Sequence, residues 1–355
     1  MNILVLEDSS QANYGGGQKI SKIVVEALST EHNLFLCDYV SDTLFVKDVA
    51  PYVNQICVLK KSNSGNKNLR RICQVVFFLE NFFTLKSFIK RNEISLILAT
   101  TKLTLIAAFF TGKPFVYHAH MAMQKGYLNH FLVLIMKRAK LVITVSKFVQ
   151  NSILKFNNSV NTIVLYNPIE FVISQPRKRK VDQKLHVSFF GTLKEEKGLR
   201  LIIQLAILFK QDPAIQFNIF GDGHLHSEIR NLNLPNVRLY GHIHDVEYYL
   251  NTLTDILVLP SVIPEACPTI ILQAMSQGVP IVTTNFGGQN ELVKNGINGY
   301  TFSPTNITEF ANRIIYLKNN YDDYEQISLN NLTDITQYPS LKEYKLQILN
   351  SIYIR

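Results

Sequence analysis

Short apolar runs rich in β-branched residues alternate along the chain with longer segments of helical pattern. Apolar strands separated by helices are typical of parallel sheets with βαβ crossovers. The series runs twice, so the pattern predicts two doubly wound α/β domains. The predicted strands are Ile3–Leu6, Leu34–Asp38, Leu96–Leu98, Phe115–Tyr117, Leu141–Thr144, Ile163–Tyr166, Val187–Phe190, Phe217–Phe220, Val237–Tyr240, Ile256–Leu259 and Ile281–Thr283.

A polar, proline-containing segment from Ser174 to Lys184 separates the two series of strands. Such a composition is typical of an interdomain linker. The sequence therefore predicts an N-terminal domain over 1–173, a linker over 174–183, a second domain over 184–335 and a C-terminal helix over 336–355 that returns to the first domain. The basic run Arg177–Lys180 is interpreted as solvated linker, with a nucleic-acid or lipid patch as the alternative.

The composition favours a globular protein, because 47% of the residues are apolar and 18% are charged. The four cysteines lie far apart without a C-x-x-C pair, which excludes a zinc ribbon and fits a reducing cytosol. The N-terminus lacks a basic region and a long apolar run, so secretion is not indicated. No apolar run is long enough to span a bilayer. We expect a cytoplasmic protein.

Positive charge is concentrated in the first half of the chain. Residues 1–175 hold 19 Lys/Arg against 10 Asp/Glu, whereas the remainder holds 17 of each. An excess in one half suggests a polyanionic partner for that half, and a solubilising surface is the alternative. The segments Leu69–Arg91 and Leu128–Lys140 combine apolar and basic residues, so each is either a membrane-surface helix or a buried crossover helix. No nucleic-acid module is recognisable.

The densest candidate chemistry follows the predicted strand Ile256–Leu259. A loop with Glu265 leads into a helix that is predicted to begin near Pro268–Thr269 and to end at about Gln277. A helix N-terminus at the carboxyl end of a parallel strand presents free N–H groups and partial positive charge, so it can hold a phosphate. The Glu265 carboxylate can accept hydrogen bonds from sugar hydroxyls, and the Gln273 amide, about one turn further, can bond a ribose.

This stretch resembles glycosyltransferase family 4, a retaining group with the GT-B fold. The family pattern is P-S-x-x-E-x-x-P-x-x-x-L-E-A-M-A-x-G-x-P-V-V. The residues in register are Pro260, Ser261, Glu265, Pro268, Leu272, Ala274, Met275, Gly278 and Pro280, and Gly287, Gly288 and Glu291 follow at family spacing. The chain departs from the pattern at Gln273, where the family has a second glutamate.

Further motifs of the family occur on both sides of the linker. Gly191 to Gly198 matches G-R-L-x-x-x-K-G, with Lys197 present and Thr192 in place of the arginine. The other matches are Gly221-Asp-Gly223, the glycine loop Gly15–Gly17 and a strand end that places a cleft-facing histidine at His120. The substitution at Thr192 removes one guanidinium from the expected diphosphate site.

The resemblance implies a GT-B fold, in which two Rossmann-like domains have parallel sheets facing a cleft. The first domain would bind the acceptor and the second a nucleoside-diphosphate sugar. The implied catalytic residues are His120 and Glu265, and the implied donor-binding residues are Gly16, Gly17, Lys197, Gly221, Thr269, Gln273 and Glu291. The implied reaction is a hexosyltransferase-like transfer with retention, in which the acceptor attacks the face that the leaving phosphate departs from.

No metal and no cofactor is expected. The pairs His118-x-His120, His224-x-His226 and His242-x-His244 are scattered and lack clustered carboxylates, so they do not indicate a metal site. The family suggests an acceptor in bacterial cell-surface polysaccharide or lipid-linked saccharide synthesis, and a location in the cytoplasm or on the inner face of the plasma membrane.

Two alternative functions remain open. Gln273 and Thr192 would suit a degenerate transferase that binds a partner transferase without turnover. A nucleotide-sugar epimerase of similar fold is the other possibility. The retained Glu265, Lys197 and His120 favour an active transferase.

Overall fold

The computed structural model describes residues 1–9, 15–59, 81–178 and 183–353. These form two compact units: Met1–Asn167 with Leu341–Arg355 is unit 1, and Pro168–Ser340 is unit 2. The units divide at 167/168 and 340/341, whereas the sequence placed the domain ends at 173 and 335. None of the described helices combines the length and the apolar character needed to cross a bilayer.

Unit 1 is a parallel sheet with the order β3-β2-β1-β4-β5-β6-β7 over its described strands. These strands are β1 (Asn2–Leu6), β2 (Asn33–Asp38), β3 (Gln55–Val58), β4 (Leu96–Ala99), β5 (Phe115–Ala119), β6 (Leu141–Thr144) and β7 (Thr162–Val164). The helices are α1 (Gly16–Ser29), α2 (Leu44–Val49), α3 (helical over 81–91), α4 (Lys102–Thr111), α5 (Tyr127–Met136), α6 (Lys147–Leu154) and α14 (Leu341–Ile352).

The core of unit 1 forms where one face of the sheet meets α1 and α14. Alternate residues of the strands, such as Ile3 and Val5, point to the same face and join one apolar cluster with both helices. Tyr344 and Ile348 of α14 are buried in this cluster. Lys345 adds an ion pair to Glu26 of α1, with Nζ 3.0 Å from Oε2. The last helix of the chain is therefore part of the first unit.

Unit 2 repeats the same winding, with the strand order β10-β9-β8-β11-β12-β13. The strands are β8 (Leu185–Phe190), β9 (Ile215–Phe220), β10 (Val237–Gly241), β11 (Ile256–Leu259), β12 (Ile281–Thr284) and β13 (Gly299–Phe302). The helices are α7 (Leu199–Leu208), α8 (His226–Asn231), α9 (Val246–Thr252), α10 (Thr269–Ser276), α11 (Gln289–Leu292), α12 (Ile307–Asn319) and α13 (Tyr321–Asp334).

All of the strands predicted from the sequence are present, within one or two residues at each end. The prediction of two doubly wound α/β domains is confirmed. Two strands were missed, β3 and β13, and each lies at an edge of its sheet. Both are short, and β3 is only partly buried, so they lack the continuous apolar run that marks a central parallel strand.

The interpretation of Arg177 as solvated linker was wrong. Its guanidinium donates to the carbonyl oxygens of Gln277 (2.7 Å), Thr254 (2.8 Å) and Leu250 (2.7 Å). These acceptors belong to the ends of helices and turns in unit 2, where carbonyl groups lack partners within the helix. Arg177 therefore fastens the start of unit 2 to its own body. Lys178 is exposed, and residues 179–182 lie outside the described residues.

Candidate active site

In each unit the strand order reverses direction beside the first strand. This topological switch point lies between β1 and β4 in unit 1 and between β8 and β11 in unit 2. Doubly wound proteins bind ligands beyond the carboxyl ends of the strands at this point. The loops that follow these four strands therefore define the candidate sites.

Two loops meet at the switch point of unit 2. The loop after β8 carries Lys197 and the loop after β11 carries Glu265, and Nζ of Lys197 lies 2.5 Å from Oε1 of Glu265. The backbones approach so closely that a Cβ atom on Gly198 would lie 1.8 Å from the carbonyl oxygen of Pro260. Gly198 also has a φ of +74°, which glycine adopts without strain. Glycine at this position thus allows the cation and the carboxylate to meet.

Hydrogen bonds from neighbouring loops hold Glu265 in place. Its Oε1 accepts from the Ser261 hydroxyl at 2.6 Å. Its N–H donates to Oε1 of Gln289 at 3.2 Å, and its carbonyl accepts from the N–H of Gly288 at 2.7 Å. A Cβ atom on Gly288 would lie 2.0 Å from the carbonyl oxygen of Ala266. The loop after β12 therefore fixes the backbone that carries the carboxylate.

The helix after Glu265 begins as the sequence predicted. Thr269 is the first residue of α10, and Pro268 before it gives the helix no side-chain cap. The N–H groups of the first turn can therefore bind an anion. Gln273 lies one turn further along and is partly exposed. Among the described residues, no hydrogen bond to its side-chain amide is found.

The remaining predicted donor residues lie around the same edge of the sheet. β8 and β9 pair up to Phe190 and Phe220, so the glycines that follow, Gly191 and Gly221, lie side by side. Glu291 lies on α11, in the segment that fixes Glu265, and its N–H donates to the carbonyl of Gly288.

In unit 1, the glycine loop and His120 lie together. Gly15 is the N-cap of α1, and Gly16 and Gly17 begin the helix. A Cβ atom on Gly17 would lie 3.9 Å from Cγ of His120, which follows β5. The His120 ring also lies beside the His118 ring, with 4.1 Å between the centroids. Unit 1 thus presents a helix N-terminus next to an imidazole.

A row of buried polar side chains lies at the carboxyl edge of this sheet. None of its members was among the site residues predicted from the sequence. The register pairs Leu6 with Cys37 and with Ala99, and Ala99 with Tyr117. The residues that follow form a row across four strands, on the face that α1 covers: Asp38, Glu7, Thr100 and His118. The sequence did carry a signal for this row, namely a polar residue directly after each apolar run.

Burial shifts the pKa values of the titratable groups in this row towards their neutral forms. It raises the pKa of Glu7 from 4.5 to about 7, although hydrogen bonds from Ser21 and Thr100 act in the opposite direction. It also lowers the pKa of His118 well below its usual value and that of His120 to about 4. Among the described residues, Oε2 of Glu7, both ring nitrogens of His118 and Nε2 of His120 have no hydrogen-bond partner. These polar atoms therefore retain unused capacity for hydrogen bonds at the carboxyl edge of the sheet.

The predicted site residues form one group in each unit. Unit 2 holds Lys197, Gly221, Glu265, Thr269, Gln273 and Glu291, and unit 1 holds Gly16, Gly17 and His120. Their roles stay predictions. Ser261 and Gln289 lay inside the recognised motifs. Ser261 contacts Glu265 within one loop, whereas the Gln289 contact joins two loops and could not be predicted from spacing.

The comparison with known proteins agrees with this geometry. Residues 173–333 match the family model described as glycosyl transferases group 1. Spore coat protein SA of Bacillus subtilis is 24% identical over 216 residues, which cover 52% of this chain and 57% of that protein. The UDP-Gal:alpha-D-GlcNAc-diphosphoundecaprenol alpha-1,3-galactosyltransferase of Escherichia coli is 34% identical over 109 residues, 29% of this chain and 28% of that protein. The chain thus spans between about a quarter and three fifths of the length of these relatives.

The fold comparison covers the whole chain. The crystal structure of Anabaena HepE in complex with UDP-glucose matches with a TM-score of 0.78 and 23% identity, over 99% of both chains. The architecture is the GT-B fold, as the sequence predicted. Residues 173–333 are thus similar to the glycosyl transferases of group 1, and the chain as a whole shares its fold with the GT-B structures.

Glu7 gives the stability of unit 1 a dependence on pH. Because its pKa rises from 4.5 to about 7 on folding, its contribution is complete below pH 4.5 and is lost as the pH rises through 7. The shift corresponds to about 3 kcal/mol. Between pH 5 and pH 8 the free energy of unfolding of the wild type should fall by about 3 kcal/mol more than that of Glu7→Gln, which lacks the titrating group. Urea denaturation at several pH values measures it.

Glu93→Gln, at an exposed position of the same unit, is the matched control and should follow the wild-type profile. An unchanged profile for Glu7→Gln would show that the buried carboxyl does not titrate in this range.

Proposed function

We propose that the protein transfers a glycosyl group, with retention, from a nucleoside-diphosphate sugar to a hydroxyl of a saccharide or lipid-linked saccharide acceptor. The observation that carries this proposal is the contact between Lys197 and Glu265 at the switch point, next to the first turn of α10. A cation, a carboxylate and free backbone N–H groups at one place suit the diphosphate and the hydroxyls of such a donor.

We assign the donor to unit 2. The diphosphate would lie at the N-terminus of α10 with the ammonium group of Lys197 beside it, and Glu265 would accept hydrogen bonds from the sugar hydroxyls. Gln273, one turn further along α10, would contact the ribose. The complexes of Anabaena HepE with UDP and with UDP-glucose support UDP-sugars as the first donors to test.

We assign the acceptor to unit 1, where His120 and the glycine loop lie together. The acceptor oxygen would bond to the anomeric carbon from the face that the diphosphate leaves. The bond from that carbon to the phosphate oxygen breaks with its electron pair on the oxygen, which then takes the acceptor proton. No enzyme nucleophile is needed. The imidazole of His120 stays neutral at pH 7, so it can exchange hydrogen bonds with sugar or acceptor.

The class of acceptor is proposed from the relatives. They include the Escherichia coli galactosyltransferase that acts on a diphosphoundecaprenol-linked sugar and a capsular polysaccharide biosynthesis glycosyltransferase of Staphylococcus aureus. A lipid-linked or cell-surface saccharide would place the enzyme in the cytoplasm, on the inner face of the plasma membrane.

Donor binding should depend on the Lys197–Glu265 pair. Lys197→Ala should weaken binding of a UDP-sugar by about 1–3 kcal/mol, the usual range for a charged hydrogen bond. Glu265→Gln keeps the shape but removes the charge, so we expect it to lose most of the transfer rate. Isothermal titration and a radiolabelled-donor assay measure the two effects.

The exposed pair Arg200–Glu228 offers matched control variants in the same unit, Arg200→Ala and Glu228→Gln. These should bind donor and transfer sugar as the wild type does. Wild-type kinetics for Lys197→Ala and Glu265→Gln would overturn the assignment of the donor site.

The proposed reaction requires no divalent metal and no cofactor. Lys197 and the N-terminus of α10 would supply the positive charge that a bound cation supplies in other transferases. Transfer should therefore proceed at an unchanged rate in excess EDTA. A rate that falls in EDTA and returns with Mg²⁺ or Mn²⁺, in a discontinuous product assay, would contradict the metal-independent mechanism.

A variant at Gln273 tests whether the chain is an active or a degenerate transferase. An amide can still accept a hydrogen bond from a ribose hydroxyl, though without charge assistance. We expect Gln273→Glu to change donor affinity by no more than about tenfold, or about 1.4 kcal/mol. If the wild type transfers nothing with any donor or partner and Gln273→Glu becomes active, the chain is a degenerate transferase.

A further inference from the structure

Two neighbouring helices of unit 1 leave large apolar side chains in solvent. α4 packs against α5. The exposed side chains, which we call the α4–α5 face, are Leu103, Phe110, Tyr127, Leu128, Phe131 and Leu134. Tyr127 is 97% exposed and Leu134 is 60% exposed. Single exposed apolar residues are ordinary, whereas a group on adjoining helices indicates a binding surface.

The spacing along α5 shows that this helix has two apolar faces. Leu132, Val133 and Met136 are buried against unit 1. Leu128, Phe131 and Leu134 recur three residues apart and share one exposed side of the helix, along which Ile135 is buried. The core needs only the first face, so folding of unit 1 does not explain the second. The buried side agrees with the interpretation of Leu128–Lys140 as a crossover helix, and the membrane-surface interpretation stays a prediction.

The stretch of chain that carries the face has charge of one sign. No Asp or Glu occurs between Glu93 and Glu170, whereas this stretch holds Lys102, Lys113, Lys125, Lys137, Arg138, Lys140, Lys147 and Lys155. Lys137 and Arg138 directly follow α5 and line a groove of about 540 Å³, together with Phe109, Phe131, Leu134 and Ile135. Apolar side chains bordered by cations, with no acidic residue among them, match an anionic headgroup layer above hydrocarbon.

We propose that the α4–α5 face docks on the surface of an anionic lipid bilayer. The apolar side chains would enter the headgroup boundary, while Lys137 and Arg138 would contact lipid phosphates. The proposal deepens the proposed function, since it rests on a lipid-linked acceptor as the reason for membrane contact. The related sequence prediction for Leu69–Arg91 falls partly on residues 69–80, which lie outside the described residues.

Vesicle binding of the full chain tests the proposal directly. The probes are vesicles of phosphatidylcholine alone and of phosphatidylcholine with about one third phosphatidylglycerol. We expect sedimentation with the anionic vesicles only, weakening between about 0.1 M and 0.5 M NaCl as the charges are screened. The double variant Lys137→Ser/Arg138→Ser should lower the partition coefficient about thirtyfold, because each cation near such a surface contributes about a factor of five to six.

The triple variant Tyr127→Ser/Leu128→Ser/Leu134→Ser tests the apolar part of the face. All three side chains are more than half exposed, so the variant should fold, and it should lose at least about nine tenths of its binding. Ile207→Ser/Leu208→Ser and Lys178→Ser/Lys210→Ser are matched controls at exposed positions of unit 2, and both should bind as the wild type does.

Activity measured separately distinguishes failure of this proposal from failure of the proposed function. Transfer to a water-soluble saccharide acceptor should be unchanged in the α4–α5 variants, since none of these residues belongs to the candidate site. Equal vesicle binding by the wild type and all variants, or no binding to anionic vesicles, would overturn the docking proposal. A concentration-dependent dimer in analytical ultracentrifugation that the triple variant abolishes would overturn it too, because a second copy would then cover the face.

Discussion

The candidate donor site depends on one steric constraint, the approach of Gly198 to the carbonyl oxygen of Pro260. No side chain fits between the loops after β8 and β11, so the two backbones come together at the switch point of the sheet. That approach places Lys197 against Glu265, in front of the first turn of α10. A second contact of the same kind, between Gly288 and Ala266, fixes the backbone on the other side of the carboxylate. The charges lie where glycines allow the loops to converge.

The two units share a topology but differ in their electrostatics. In unit 2 the switch point carries a charged pair that remains partly exposed to solvent. In unit 1 the corresponding edge carries two buried carboxyls, whose pKa values burial raises, and two imidazoles that desolvation keeps neutral. A charged pocket suits a diphosphate, and a neutral polar one suits hydroxyl groups. The same winding of the chain can therefore serve the two substrates of a transfer reaction.

Charged residues are also distributed unevenly along the chain. Residues 176–355 hold equal numbers of basic and acidic residues, while the stretch between Glu93 and Glu170 is entirely free of acidic residues. The exposed apolar side of α5 lies within that stretch, next to Lys137 and Arg138. Buried apolar residues account for the stability of the unit, so the exposed ones are available for binding. A surface of this composition would bring unit 1 to a lipid surface.

The sequence alone determined the central strands, the start of α10 and the motifs that carry Lys197 and Glu265, because each depends on local pattern and chain direction. The edge strands β3 and β13 were not predicted from the sequence. The formation of an edge strand depends on pairing with its neighbour more than on its own apolar run. Only the tertiary structure decided that Arg177 docks on carbonyl groups of unit 2 and that Gln289 supports Glu265. It also decided that Glu7 and His118 form one buried row and that one side of α5 stays exposed. These features join residues that are distant in the chain, and their energies come from burial, which spacing along a sequence does not specify.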